Sequence, residues 1–266
     1  MAALALLALA LLAVAAVMLR GAEVAASDAA ALRGRRIAID PGHGGPDAGA
    51  SGFGVRESDV VLAVALRLRD LLGAAGAQVF LARTPETDFS EYRNKNGGPG
   101  NYRLNVRMDA IKAWAPDVLV NVHANSFRQG PSEHGAQVFY SPVGGPASLR
   151  LAAITQAELA AWTGETKRKP NTTLIHYMLE ESPVPAVTVE VGFLSNRREA
   201  GLLASPAYQD KLARAMYTAL ARWFEEGGPA LNGNPPPEGA RGRPPASDFT
   251  GARGRPRASQ VTGYRG

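Results

Sequence analysis

Apolar residues fall along the chain in two alternating rhythms. Short runs rich in β-branched residues read as buried strands: Arg36 to Asp40, Ala77 to Ala82, Asp117 to Val122, Gln137 to Tyr140 and Val187 to Val189. Between them, apolar positions recur at three- and four-residue spacing. Val60, Val64, Leu68, Leu71 and Leu72 predict a helix from about Arg56, and the same period predicts helices over Leu104–Trp114, Ala147–Trp162 and Ala207–Glu226. Pro41-Gly42 ends the first strand, and Pro116 ends the second helix. Thr84 to Tyr102 is polar and glycine-rich. Strands that alternate with helices of this length predict an α/β fold: an open, largely parallel twisted sheet with helices on both faces, in a single domain.

Both ends of the chain depart from this pattern. Ala2 to Leu19 is an unbroken apolar run closed by Arg20, long enough to span a bilayer. It also fits a secretory signal, with Val24-Ala25-Ala26 as a cleavage site. Residues 1–34 are therefore expected to form a hydrophobic signal or anchor and a linker, and the protein is expected to be exported to the cell envelope or a periplasm-like space, membrane-anchored or secreted. From Gly227 to Gly266 the chain is dominated by Gly, Pro, Ala and Arg, a composition too poor in large apolar residues to order itself. This tail repeats itself, GARGRPPAS at Gly239–Ser247 and GARGRPRAS at Gly251–Ser259.

Charge sharpens that division. The tail holds six arginines against Glu238 and Asp248; with it and Arg20 set aside, 22 basic residues face 22 acidic ones. The excess positive charge belongs to the tail, which argues against a nucleic-acid-binding body, and no nucleic-acid partner is expected. The Arg-Gly-Arg-Pro cores resemble AT-hook arms, but an exported protein does not meet chromosomal DNA, so an anionic wall polymer or membrane surface is the expected partner of the tail. The chain has no cysteine, which excludes a thiolate metal site or a cysteine nucleophile.

The candidate chemistry gathers at strand ends. His43, one of only four histidines, follows the first strand in a Pro-Gly-His-Gly-Gly loop, and Glu57 opens the helix after it. A nucleotide loop is the obvious rival, but Asp47 stands where a third glycine would be needed and no Gly-Lys-Ser/Thr occurs. By itself this stretch is equally well a surface loop with a solvated histidine and a carboxylate suited to a helix start. His123 and Glu190 change the picture, because each also leaves the carboxyl end of a strand, the edge where open α/β sheets build their sites. Two histidines and a carboxylate are a ligand set for catalytic zinc, and a further carboxylate is what metal-assisted hydrolysis needs as general base. His134 lies in the polar turn "PSEHG" and reads as solvated; His176 alternates with apolar neighbours in "LIHYML" and reads as packed.

Four segments, "IAIDPGHGGPDAGA", "ESDVVLAVALRLRDLL", "DVLVNVHANSF" and "PAVTVEVGFLSN", resemble in order and spacing the zinc-dependent N-acetylmuramoyl-L-alanine amidases of bacterial cell walls, the amidase 3 family. The resemblance covers about Arg35 to Glu226, so residues 35–226 are expected to be the catalytic domain and 227–266 a disordered tail. It implies one zinc per chain held by His43, Glu57 and His123, with Glu190 as the catalytic carboxylate and peptidoglycan as the substrate. Asn125 would orient a ligand or the peptide, or stabilise its own loop. "GAQVFYS" and "SPAYQDKLARAMYTALARWFEE" look nearest to the sporulation and germination amidases, which act on spore cortex. Some of those relatives depend on a partner lipoprotein to hold zinc, a dependence no residue here encodes.

The chain also departs from the family. Glu180 stands where a basic residue is usual, which puts one substrate contact in doubt, and Lys112 replaces a frequent asparagine. The short link Phe127 to Gly135 leaves no room for the long inhibitory helix that some relatives insert there. Two rival readings are another zinc peptidoglycan hydrolase with the same ligands and a non-catalytic wall-binding derivative. The second has no need of Glu190 or of a full ligand set, yet all are present.

Overall fold

A computed structural model describes residues 23, 26–84, 101–173 and 176–228. The apolar run of residues 2–19, most of the glycine-rich stretch after Thr84 and the tail from 229 lie outside the described residues. Among the described residues no helix is long and apolar enough to cross a membrane.

Helix α1 is described over 26–32, and Leu32 is fully buried in the main core. Packing therefore extends several residues ahead of Arg35. The sheet follows: β1 (Arg36–Pro41), β4 (Gln78–Leu81), β5 (Val118–Asn125), β6 (Gln137–Tyr140), β7 (Asn171–Thr172) and β8 (Ala186–Phe193), in the spatial order β4-β1-β5-β8-β6-β7. All neighbours are parallel except β6, which runs antiparallel to β8. A two-stranded hairpin, β2 (Ser51–Gly52) and β3 (Val55–Arg56), stands apart from the sheet.

The central strands are apolar on both sides because both sides are covered. Ile37, Ile39, Val118, Val120, Val187 and Val189 face a large core with α2 (Glu57–Ala74), α4 (Gly145–Thr163) and α7 (Pro206–Glu225). The alternate positions Ala38, Leu119 and Ala186 face a smaller core with Met108 and Ile111 of α3 (Asn101–Trp114) and with Met178 and Leu179 of α5 (Tyr177–Glu180). Helix α6 (Arg197–Leu203) follows β8.

Strand pairing aligns the functional ends. Pro41 pairs with Val122, and His123 pairs with Glu190. Since β1, β5 and β8 are parallel neighbours, their carboxyl ends share one edge of the sheet, and the residues that follow them open onto the same space.

Candidate metal centre and active site

Glu57 is the hub. It opens the 18-residue helix α2, where the positive end of the helix favours a carboxylate. Its Oε1 accepts from the backbone N–H of Ala124 at 2.9 Å and from His123 Nδ1 at 3.0 Å, and lies 3.3 Å from His43 Nε2. Its Oε2 accepts from the N–H of Ala50 at 2.8 Å, while the carbonyl of Ala50 accepts from the N–H of Glu57, also at 2.8 Å. The hairpin is thus tied to the helix start by a reciprocal pair of bonds that also fixes the carboxylate. Burial alone would raise its pKa, but the hydrogen bonds from His123 and His43 hold it below the usual carboxylate range.

His43 is held from behind. Its Nδ1 donates to Asp47 Oδ2 at 2.8 Å, which leaves Nε2 as the nitrogen turned to Glu57. Burial disfavours the imidazolium, yet the bonds to Asp47 and Glu57 raise His43 to about 10. A cation entering the cluster must therefore displace protons. The residue sits at φ 59°, an unusual conformation for a side chain larger than glycine.

Two buried arginines hold that loop in place. Arg107 bonds to Asp40 Oδ1 at 3.1 Å, to the carbonyl of Pro41 at 3.2 Å and to the carbonyl of His43. Arg83 donates to the carbonyls of Pro41, Gly42 and Ser58 at 3.0 to 3.2 Å. Burial, with Arg107 alongside, lowers Arg83 to about 10, so it stays charged at neutral pH. Arg107→Ala is expected to destabilise the fold by about 3–5 kcal/mol, because Asp40 would be left charged and buried without its guanidinium. Urea unfolding measures it, and a loss below about 1 kcal/mol would show that the pair is not holding the loop.

Glycines permit this close assembly. A Cβ on Gly42 would lie 2.3 Å from His123 Cε1, and one on Gly49, at φ 66°, would lie 2.7 Å from both Glu57 Oε2 and the His43 ring. Ligand nitrogens and oxygens of His43, Glu57 and His123 all fall within 4.8 Å of one another. In a tetrahedral zinc site with bonds of about 2.0–2.2 Å the ligand atoms stand about 3.3 Å apart. The 3.0 and 3.3 Å separations around Glu57 Oε1 match that spacing, so the donor set fits zinc.

The remaining sequence candidates separate. Glu190 is buried on β8 directly opposite His123, on the same face of the sheet as its pairing partner. Asn125 ends β5 with its side-chain oxygen accepting from the N–H of Ser126 at 2.7 Å, and its carbonyl accepts from the N–H of Leu194 at 2.8 Å. His134 lies on an exposed turn, bonded to the carbonyl of Ser132. His176 packs edge-on against His123 at 6.3 Å between ring centroids and stacks on Phe139. Burial, reinforced by His123, lowers it to about 4, so it stays neutral. Neither histidine belongs to the metal-ligand group among the described residues. Asp47, Arg83 and Arg107 were not legible as site residues; the only local signal was an aspartate four residues after His43.

Comparison with known proteins places this geometry among relatives. The N-acetylmuramoyl-L-alanine amidase family matches residues 37–222. The chain is 37% identical over 200 residues to the germination-specific N-acetylmuramoyl-L-alanine amidase of Bacillus subtilis, covering 74% of this chain and 83% of that protein. It is 32% identical over 192 residues to the N-acetylmuramoyl-L-alanine amidase LytC of the same organism, covering 72% of this chain but only 36% of LytC. Among solved structures, the CwlD amidase of Clostridioides difficile in complex with the GerS lipoprotein superposes with a TM-score of 0.67 at 33% identity, over 72% of this chain and 99% of that one.

Proposed function

The chain belongs to the N-acetylmuramoyl-L-alanine amidase family, and from that premise we propose that it is a zinc-dependent hydrolase of the bond between N-acetylmuramic acid and L-alanine in spore cortex peptidoglycan. The observation that carries the reading is the convergence of His43, Glu57 and His123 on one point, at the sheet edge that also bears Glu190.

His43, Glu57 and His123 would hold the zinc. Bound there, zinc supplies Lewis-acid chemistry, acidifying water and polarising a carbonyl oxygen. Glu190 accepts a proton from the attacking water as its oxygen bonds to the lactyl carbonyl carbon. The carbon–nitrogen bond then breaks, and Glu190 returns that proton to the alanine nitrogen, which would otherwise leave as a poor amide anion. The products are a lactyl carboxylate and a peptide with a free L-alanine amine. Asn125 acts in the same site by fixing, through its carbonyl and Leu194, the segment that follows Glu190, while its side-chain oxygen stabilises its own loop at Ser126.

The catalytic body in this reading is the packed region through Glu226, working on the outer side of the membrane where peptidoglycan lies. The CwlD neighbour is in complex with a lipoprotein, which supports a lipoprotein as the regulatory partner here. The arginine-rich tail serves contacts with anionic wall polymer or membrane. Deleting residues 227–266 should remove the salt-sensitive part of wall binding, because exposed charges are screened beyond about 8 Å at physiological ionic strength. Turnover of short soluble muropeptides should not change, and a truncated protein that lost it would refute this role for the tail.

The decisive experiment pairs metal analysis with product analysis on purified cortex and vegetative peptidoglycan. One zinc per chain and new L-alanine amino termini are expected, with cortex preferred. New sugar reducing ends, or cuts confined to the interior of the stem peptide, would overturn the assignment.

A further inference from the structure

The β2–β3 hairpin turns through Phe53 and Gly54, at φ 52° and 81°. Two consecutive positive φ values are what a type I′ turn requires, and asparagine or glycine is the residue suited to its first position. Phenylalanine there is conformationally costly, and the residue is 51% exposed. Neither backbone geometry nor core packing explains it. Strained backbone bearing an exposed aromatic is a feature that folding alone does not favour.

The surroundings supply a reason. Arg197 lays its guanidinium over the Phe53 ring at 4.5 Å from the centroid. Among the described residues Arg197 forms no salt bridge, whereas the adjacent Arg198 is paired with Glu165. The two partners come from the two segments that carry Glu57 and Glu190. Phe53 stands four residues before Glu57, at most about 14 Å of extended chain away. Arg197 stands seven residues after Glu190. The hairpin is pressed against that second segment so closely that a Cβ on Gly52 would lie 1.9 Å from the carbonyl oxygen of Leu194. Leu194 in turn bonds to Asn125, two residues past His123.

We infer that Phe53 and Arg197 form a substrate subsite that takes a carboxylate of the stem peptide, the ring holding the guanidinium in place and the guanidinium binding the acid. A planar guanidinium stacked on an aromatic face keeps its edge N–H groups available for bidentate binding of a carboxylate. Phe53, at most about 14 Å along the chain from Glu57, lies within reach of a stem peptide extended a few residues beyond the scissile bond, at about 3.3 Å per residue. The inference rests on the amidase reading and names the part of that substrate which this pair selects.

The test compares two N-acetylmuramoyl stem peptides that differ only in whether their side carboxylates are free or amidated, with wild type, Phe53→Asn and Arg197→Gln. Wild type should favour the free acid, and each variant should raise KM for it by about 5–20-fold while leaving kcat and the amidated substrate nearly unchanged. Phe53→Asn should also melt no lower than wild type, since asparagine suits the turn better. Equal losses on both substrates, a lower melting temperature accompanying the loss, or unchanged KM would each overturn the subsite. Failure of wild type to cleave either peptide would instead refute the amidase reading.

Discussion

Glu190→Gln is expected to keep its zinc and lose turnover by about 10²–10⁴-fold, the usual worth of a positioned general base. The substitution preserves shape on β8, a strand buried along its whole length, and removes only the charge and the ability to accept a proton. Folding should tolerate it, because an amide is easier to bury than a carboxylate. Metal content should hold because Glu190 lies outside the cluster formed by His43, Glu57 and His123. Single-turnover rates and metal analysis on one preparation measure both quantities. Glu57→Gln supplies the contrast: it should lose metal, since the carboxylate oxygen shared by both histidines is replaced by a weaker donor. If Glu190→Gln lost the metal while Glu57→Gln retained it, the two carboxylates would have to exchange roles.

Much of this arrangement was legible because burial leaves strong marks. Strands covered on both faces read as apolar runs, and the helices read by their 3.6-residue period, with ends within about three residues of those observed. The antiparallel pairing of β6 left no mark, since a four-residue strand looks alike in either direction. The β2–β3 hairpin was hidden for a similar reason: its strands have two residues each and are separated by Phe-Gly instead of a recognised turn pair. Helix α6 could have been found. Asn196 caps it by accepting from the N–H groups of Arg198 and Glu199, and Asn-x-x-Glu is the pattern of a capping box.

The site divided along the same line. Residues at strand ends could be placed on one edge by topology alone, which is why His43, His123 and Glu190 stood out. Arg83 and Arg107 could not, because a basic residue in a polar stretch or on a helix gives no sign that it is buried against a loop more than forty residues away. His176 showed its packing but not its partner, the ring of His123. The fit of Gly42 and Gly49 against ligand side chains explains the glycine-rich motif in physical terms: each leaves the space that an imidazole or the carboxylate occupies.

Removing either histidine is expected to abolish zinc binding, the largest effect foreseen for this protein. His43 and His123 both turn a ring nitrogen to the same oxygen of Glu57. His43→Ala or His123→Ala leaves one imidazole and one carboxylate, too few ligands for a catalytic zinc. The loss should be readable without any substrate. A ligand that binds only the folded state stabilises it by about 4.1 kcal/mol at 1,000 times its Kd, so wild-type protein should melt higher with saturating zinc than in chelator. That zinc-dependent increment should vanish in both variants. The apo forms should differ from apo wild type by less, because Glu57 keeps its bonds from Ala50 and Ala124 when one imidazole is gone. Equal zinc-dependent stabilisation in wild type and in either variant, with full metal occupancy, would place the metal elsewhere and remove the basis for the proposed chemistry.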